Sequence, residues 1–165
     1  MEIIGSTEYI KVAGIEQVPA KIDTGADSSS IWASHIDMKE DGTLFFTLFD
    51  RKSPLYTGEP ISADVYAVRV VRSSHGDEQI RYRVELPISI GGKTFTTTFT
   101  LANRSRNSFP VLIGKRTLVE GQFLVDVSKS NVKRKKIAHS AKLSKELKEN
   151  PYQFHQKYLS EKGAK

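Results

Sequence analysis

The chain has 165 residues, a formal net charge of +6 and no cysteine. That length suits one domain with a modest core, and the missing thiols exclude a disulfide framework, a cysteine nucleophile and a thiolate metal site. Met1-Glu2-Ile3-Ile4-Gly5-Ser6 carries neither a basic nor a long apolar region, and no apolar run approaches the ~20 residues of a membrane span, so a soluble, cytoplasmic protein without membrane contact is expected.

Taken in chain order, Tyr9-Ile10-Lys11-Val12 and residues 17–22 read as strands around an Ala13-Gly14 turn. The second strand delivers Asp23-Thr24-Gly25-Ala26. There an apolar approach ends in a carboxylate, a hydroxyl able to fix the turn, and a glycine that permits positive φ or close backbone approach. Asp-Thr-Gly alone is equally the composition of a surface turn. Residues 44–49 form an aromatic and aliphatic strand after the Asp41-Gly42 turn. Residues 64–72 and 79–86 read as strands flanking the polar tip Ser73-Ser74-His75-Gly76-Asp77. Residues 87–90 and 94–101 flank Gly91-Gly92, a two-residue hairpin signal. Then comes a second hydrophobic-hydrophobic-Gly element, Phe109-Pro110-Val111-Leu112-Ile113-Gly114, and a last strand at 123–127.

Charge is unevenly spread. Residues 1–128 hold 14 basic against 16 acidic side chains, and residues 129–165 hold 11 against 3. The run Lys133-Arg134-Lys135-Lys136 marks that shift, giving a domain at 1–128 and a basic extension at 129–165. In the extension Ser140 can cap a short helix carrying Leu143 and Leu147. Asn150-Pro151 starts a second helix, with Tyr152, His155 and Leu159 on one face. Docked helices and a disordered tail both fit. Such a tail can meet nucleic acid, another anionic partner or only solvent.

The string Ala20-Lys21-Ile22-Asp23-Thr24-Gly25-Ala26-Asp27-Ser28-Ser29, together with Val70-Val71-Arg72-Ser73-Ser74, Asn103-Arg104, residues 109–116 and Phe123-Leu124-Val125-Asp126, resembles the retropepsin-like aspartic peptidases. Among them it is most similar to the RimK-associated family often labelled ATP-dependent zinc proteases, over residues 4–127. The resemblance implies an all-β fold: a closed retropepsin-like barrel, one lobe per chain, with a homodimer completing the site. One chain carries a single Asp-Thr-Gly, and a two-fold pair places the same residue on both sides of the axis. Two carboxylates about 3 Å apart cannot both ionise and share a proton. One then activates water while the other donates to the scissile carbonyl.

By that resemblance Asp23 is the catalytic group, Thr24 locks the two loops across the axis, and Gly25 admits the substrate backbone. Ala26, Asp27, Ile113 and the tip residues Ser74, His75 and Gly76 would touch a peptide or protein substrate. Asp27 would pair with Lys115 or Arg116, or else be a surface cap. The 73–77 hairpin is the flap, or an ordinary surface hairpin.

The family label finds no motif here. His35, His75, His139 and His155 lack metal-site spacing, and no phosphate-binding glycine loop exists, so no cofactor is expected. The ATP in the label points to partnership with ATP-grasp ligases, which add glutamate to proteins or peptides, and a peptidase acting on their products is conceivable. Two other readings stand beside the peptidase: an inactive dimerisation or binding module on the same fold, and a nucleic-acid-associated protein acting through its basic tail.

Overall fold

Alternation of apolar and polar side chains governs this chain: Val18, Ala20 and Ile22 point inward from one strand, as do Val84, Leu86, Ile88 and Ile90 from another. A computed structural model describes residues 1–133 and 138–160. Arg134, Lys135 and Lys136 of the basic run and the Ser140 side chain lie outside the described residues. The chain divides into two compact units, Met1–Val132 and Lys133–Lys165.

The first unit is mostly β, as expected. It contains β1 (Glu2–Val12), β2 (Ile15–Ile22), β3 (Ser29–Met38), β4 (Leu44–Leu48), β5 (Pro60–Ala63), β6 (Ala67–Arg72), β7 (Glu78–Ile90), β8 (Lys93–Ala102), β9 (Val111–Ile113), α1 (Lys115–Glu120) and β10 (Phe123–Ser130). The strands run in the order β10-β1-β2-β9-β3-β8-β7-β6, with β4 and β5 attached through β3. A further pairing of Lys11 with Ser89 and Val12 with Ile88 brings β7 back onto β1. Phe46, Phe49, Phe99, Ile31, Leu101 and Ile113 lie in the interior, each contributing about 1.5–3 kcal/mol by leaving water.

Short β9 is the element that matters most for the site. It sits parallel to β2 (Ile22 opposite Ile113) and antiparallel to β3 (Ser30 opposite Leu112). The two glycine-ended segments, far apart in sequence, therefore finish side by side.

Several elements differ from expectation. The serine-rich start and polar end of β3 hide a strand whose Ile31, Trp32 and Ala33 are buried. The strand expected over 64–72 begins only at Ala67, with β5 before it. Residues 79–86 and 87–90 form the single strand β7, which passes through Pro87; that carbonyl accepts from the Ala13 N–H at 2.9 Å. The one-turn helix α1 has no side-chain cap to announce it.

The second unit contains α2 (Ala138–Glu149) and α3 (Pro151–Tyr158). Asn150 Oδ1 accepts from the Gln153 N–H at 3.0 Å, with Pro151 in the first turn, as the sequence suggests. The apolar face differs from the expected one. Phe154 and Tyr158 are half-buried and meet with ring centroids 4.9 Å apart and planes tilted by 48°, whereas Tyr152 and Leu159 are exposed. Tyr158 donates to Glu146 at 2.6 Å, tying α3 to α2. Among the described residues no helix is long and apolar enough to cross a membrane.

Candidate active site

β2 ends on buried Ile22, and the next residue, Asp23, is fastened where it leaves the sheet: its N–H donates to Ile113 O at 2.8 Å. The carboxylate turns back to accept from the Gly25 N–H at 3.0 Å, and Asp23 O accepts from the Ala26 N–H at 3.2 Å. Gly25 does not take a positive φ; a Cβ there would lie 3.3 Å from Asp23 Oδ1. The atom nearest that position is thus a side-chain oxygen of the same loop, and no backbone atom beyond the two chain neighbours lies within 4 Å of it.

Gly114 is required more strictly. A Cβ on it would fall 2.6 Å from the Ser28 carbonyl carbon and oxygen and 2.9 Å from Ala26 O. The chain can therefore enter α1 directly against the loop. There the N–H groups of Lys115 and Arg116 donate to Ala26 O at 2.7 Å and Asp27 O at 3.2 Å.

Asp27 pairs with Lys115 at 2.9 Å, while Arg116 reaches Glu120 at 3.6 Å. The hydrogen bond and then the charge of Lys115 hold the Asp27 carboxyl below its usual range, and the same bond raises Lys115. Ile113 is fully buried, so it offers a substrate no surface; Leu112, facing the other way, is half-buried beside the loop. Thr24 is exposed and borders a groove of about 650 Å³ with Met1, Leu118, Val119 and Leu124.

Ser74, His75 and Gly76 form the exposed tip of the hairpin joining β6 to β7. Ser73 O accepts from the Gly76 N–H at 3.0 Å, and Arg72 pairs with Glu78 at 2.8 Å below the tip. Further down the stem, Arg69 donates to Ser28 Oγ at 2.7 Å. The hairpin is thus tied to the loop that carries Asp23 and Asp27.

A set of arginines escaped the sequence reading. Arg69 lies opposite Arg81, and Arg83 opposite Thr100. Thr100 lies opposite Ser30, and Ser30 opposite Leu112. Cross-strand partners share a face, so one basic face runs from the hairpin stem toward the Asp23 loop. Arg83 Nε and Thr100 Oγ1 are buried and find no hydrogen-bond partner among the described residues. Arg104 donates through Nε to Phe109 O at 3.0 Å, and its pKa is lowered by burial and by nearby Arg81. The alternation of Arg81 and Arg83 with Tyr82 and Val84 was the available signal. Among the described residues no cluster of three or more His, Asp or Glu is disposed to hold a metal.

Residues 3–136 match the RimB-like family, described as "Retropepsin-like aspartic endopeptidase RimB". Over 135 residues the chain is 30% identical to a "Probable alpha-L-glutamate ligase" of Shewanella pealeana, covering 78% of this chain and 29% of that protein. A protein of the same description from Desulfotalea psychrophila is 27% identical over 128 residues, covering 72% and 27%. The chain thus spans under a third of the length of these relatives. The crystal structure of a Legionella pneumophila protein of unknown function superposes with a TM-score of 0.61 at 27% identity, covering 79% of this chain and 97% of that one.

Proposed function

The chain belongs to the RimB-like family of retropepsin-like aspartic endopeptidases, and we propose that it hydrolyses peptide bonds with a carboxylate dyad built from Asp23 of two copies. The observation that carries this reading is the seat of Asp23, pinned by Ile113 O and the Gly25 N–H in a loop braced by Gly114. We read the ring β1-β2-β9-β3-β8-β7 as the closed lobe. The groove beside Thr24, with exposed Met1, Val119 and Leu124, supports a second copy covering that face. The 73–77 hairpin serves as the lid, its tip Ser74, His75 and Gly76 closing over the substrate.

The reaction uses the shared proton of the dyad. The ionised carboxylate takes a proton from water as its oxygen attacks the scissile carbonyl carbon. The protonated carboxyl donates to the carbonyl oxygen. Collapse of the tetrahedral intermediate breaks the C–N bond and returns a proton to the leaving amine.

The arginine face favours substrates carrying carboxylates, since a guanidinium recognises a carboxylate in bidentate fashion. The relatives named as probable alpha-L-glutamate ligases support that reading: such a ligase would join glutamate, and this chain would hydrolyse the bond so formed. In the test, the purified chain and its Asp23→Asn variant are incubated with glutamate-rich and glutamine-rich peptides, and products are read by mass spectrometry. Cleavage of the glutamate peptide by the wild type only, with a rate loss of about 10³ or more in the variant, is expected. Undiminished cleavage by Asp23→Asn overturns the assignment.

The charge of residues 129–165 favours a separate, second role. We propose that this tail holds anionic partners, nucleic acid included, by contacts that weaken steeply with salt. Salt-independent binding, or none at low salt, removes it.

A further inference from the structure

On the face of β8 opposite the arginines, Ser29, Thr97 and Thr117 are 1%, 2% and 1% exposed. Their hydroxyls are linked: Ser29 Oγ lies 2.6 Å from Thr117 Oγ1, which lies 2.9 Å from Thr97 Oγ1. One end of this chain is the Gly114 N–H, which donates to Ser29 Oγ at 3.0 Å. The other end is Glu120 Oε2, which accepts from Thr97 Oγ1 at 2.8 Å.

The direction of every bond then follows. An ionised carboxylate only accepts, so the single proton of Thr97 goes to Glu120. Thr97 must therefore accept from Thr117, and Thr117 from Ser29. Ser29, its proton committed, offers a lone pair to Gly114. The result is one ordered relay, Gly114 to Ser29 to Thr117 to Thr97 to Glu120, linking β3, β8 and α1 beneath the Asp23 loop.

Gly114 is also the residue whose approach to Ser28 and Ala26 leaves no room for a Cβ. Next to it the Lys115 and Arg116 N–H groups hold the carbonyls of Ala26 and Asp27. We infer that this relay, terminated by Glu120, clamps the start of α1 against the Asp23 loop, and that Thr117 and Glu120 are positioning residues for the carboxylate of Asp23. Apolar side chains of equal size would fill the space but could not accept the Gly114 N–H, and without the carboxylate end the hydroxyls could be ordered in either direction.

The test reads amide exchange of Gly114, Lys115 and Arg116 in the full chain. Thr117→Val keeps the shape and removes the hydroxyl; it should speed exchange at these amides about tenfold, the loss of roughly one net hydrogen bond. Thr117→Ser should restore the wild-type rates, and Glu120→Ala should speed the same three amides. Unchanged exchange in Thr117→Val or Glu120→Ala, or acceleration in Thr117→Ser equal to that in Thr117→Val, overturns the relay. A second arm rests on the peptidase reading above: Thr117→Val should lower kcat with KM unchanged, and Thr117→Ser should recover it. A change confined to KM overturns the positioning role. A wild-type chain that cleaves nothing counts against the peptidase reading, while the exchange arm still decides the relay.

Discussion

Two threonines three residues apart on β8 have opposite fates. Thr97 is buried with its hydroxyl fully engaged, accepting from Thr117 and donating to Glu120. Thr100 is buried on the other face beside Arg83, and neither Thr100 Oγ1 nor Arg83 Nε finds a partner among the described residues. Strand alternation puts them on different sides of one sheet. A satisfied buried polar network adds order to the fold, whereas an unsatisfied one leaves a desolvation penalty that a ligand can relieve. One side of β8 therefore backs the Asp23 loop with satisfied hydroxyls, and the other carries two buried polar atoms without a partner among the described residues.

The comparison is broken most directly at Arg83. Arg83→Met should raise KM for a glutamate-rich peptide about tenfold to a hundredfold, the worth of a hydrogen bond to a charged group. Thermal stability should hold or rise, since a buried donor without a partner has been removed. A lower melting temperature with unchanged KM would assign Arg83 to the fold instead.

The next test applies one substitution to both faces. Thr97→Val strands a donor on Thr117 and an acceptor on Glu120, and should cost about 1–3 kcal/mol. Thr100→Val removes a hydroxyl that bonds to nothing described, and should lie within about 0.5 kcal/mol of wild type or be slightly stabilising. Denaturant midpoints of the two variants decide the matter. Equal losses would mean that the faces do not differ.

How much of this was legible in the sequence depends on the range of each contact. The Asp23 loop and the Leu112-Ile113-Gly114 element were readable because each is a local string with its own turn chemistry. Their adjacency was implied by family resemblance, and β9 between β2 and β3 supplies the physical route. The choice of Lys115 over Arg116 for Asp27 was not readable, because it depends on how the unannounced turn of α1 aims two consecutive side chains. Ile113, expected to touch substrate, is buried, and its neighbour Leu112 is the half-buried one, for a similar reason: a period of two makes a one-residue shift a change of face. The arginine face needed the pairings 83 with 100, 100 with 30, and 30 with 112. None of these is local.

The smallest effect belongs to the Asp27–Lys115 pair, which is satisfied like Thr97 yet open to water, its side chains 80% and 54% exposed. The Asp27 carboxyl is held below the usual carboxylate range, first by the hydrogen bond from Lys115, then by that charge, with Arg69 adding to it. A depressed acid contributes stability above its unfolded pKa and loses it as pH falls through the folded one. Lys115 is raised above 10.5, so its share is present below that value and lost as pH climbs through the raised one. Between those limits the contribution is flat, and solvent screening keeps it small. Asp27→Asn should therefore melt slightly below wild type at neutral pH, and the gap should close as acidification protonates the lowered Asp27 carboxyl and shrink in high salt. The Arg116 N–H to Asp27 O bond is a backbone contact that the substitution leaves in place. A gap that persists at pH 2 and in 1 M salt would show that Asp27 acts through the shape of the loop rather than through its charge.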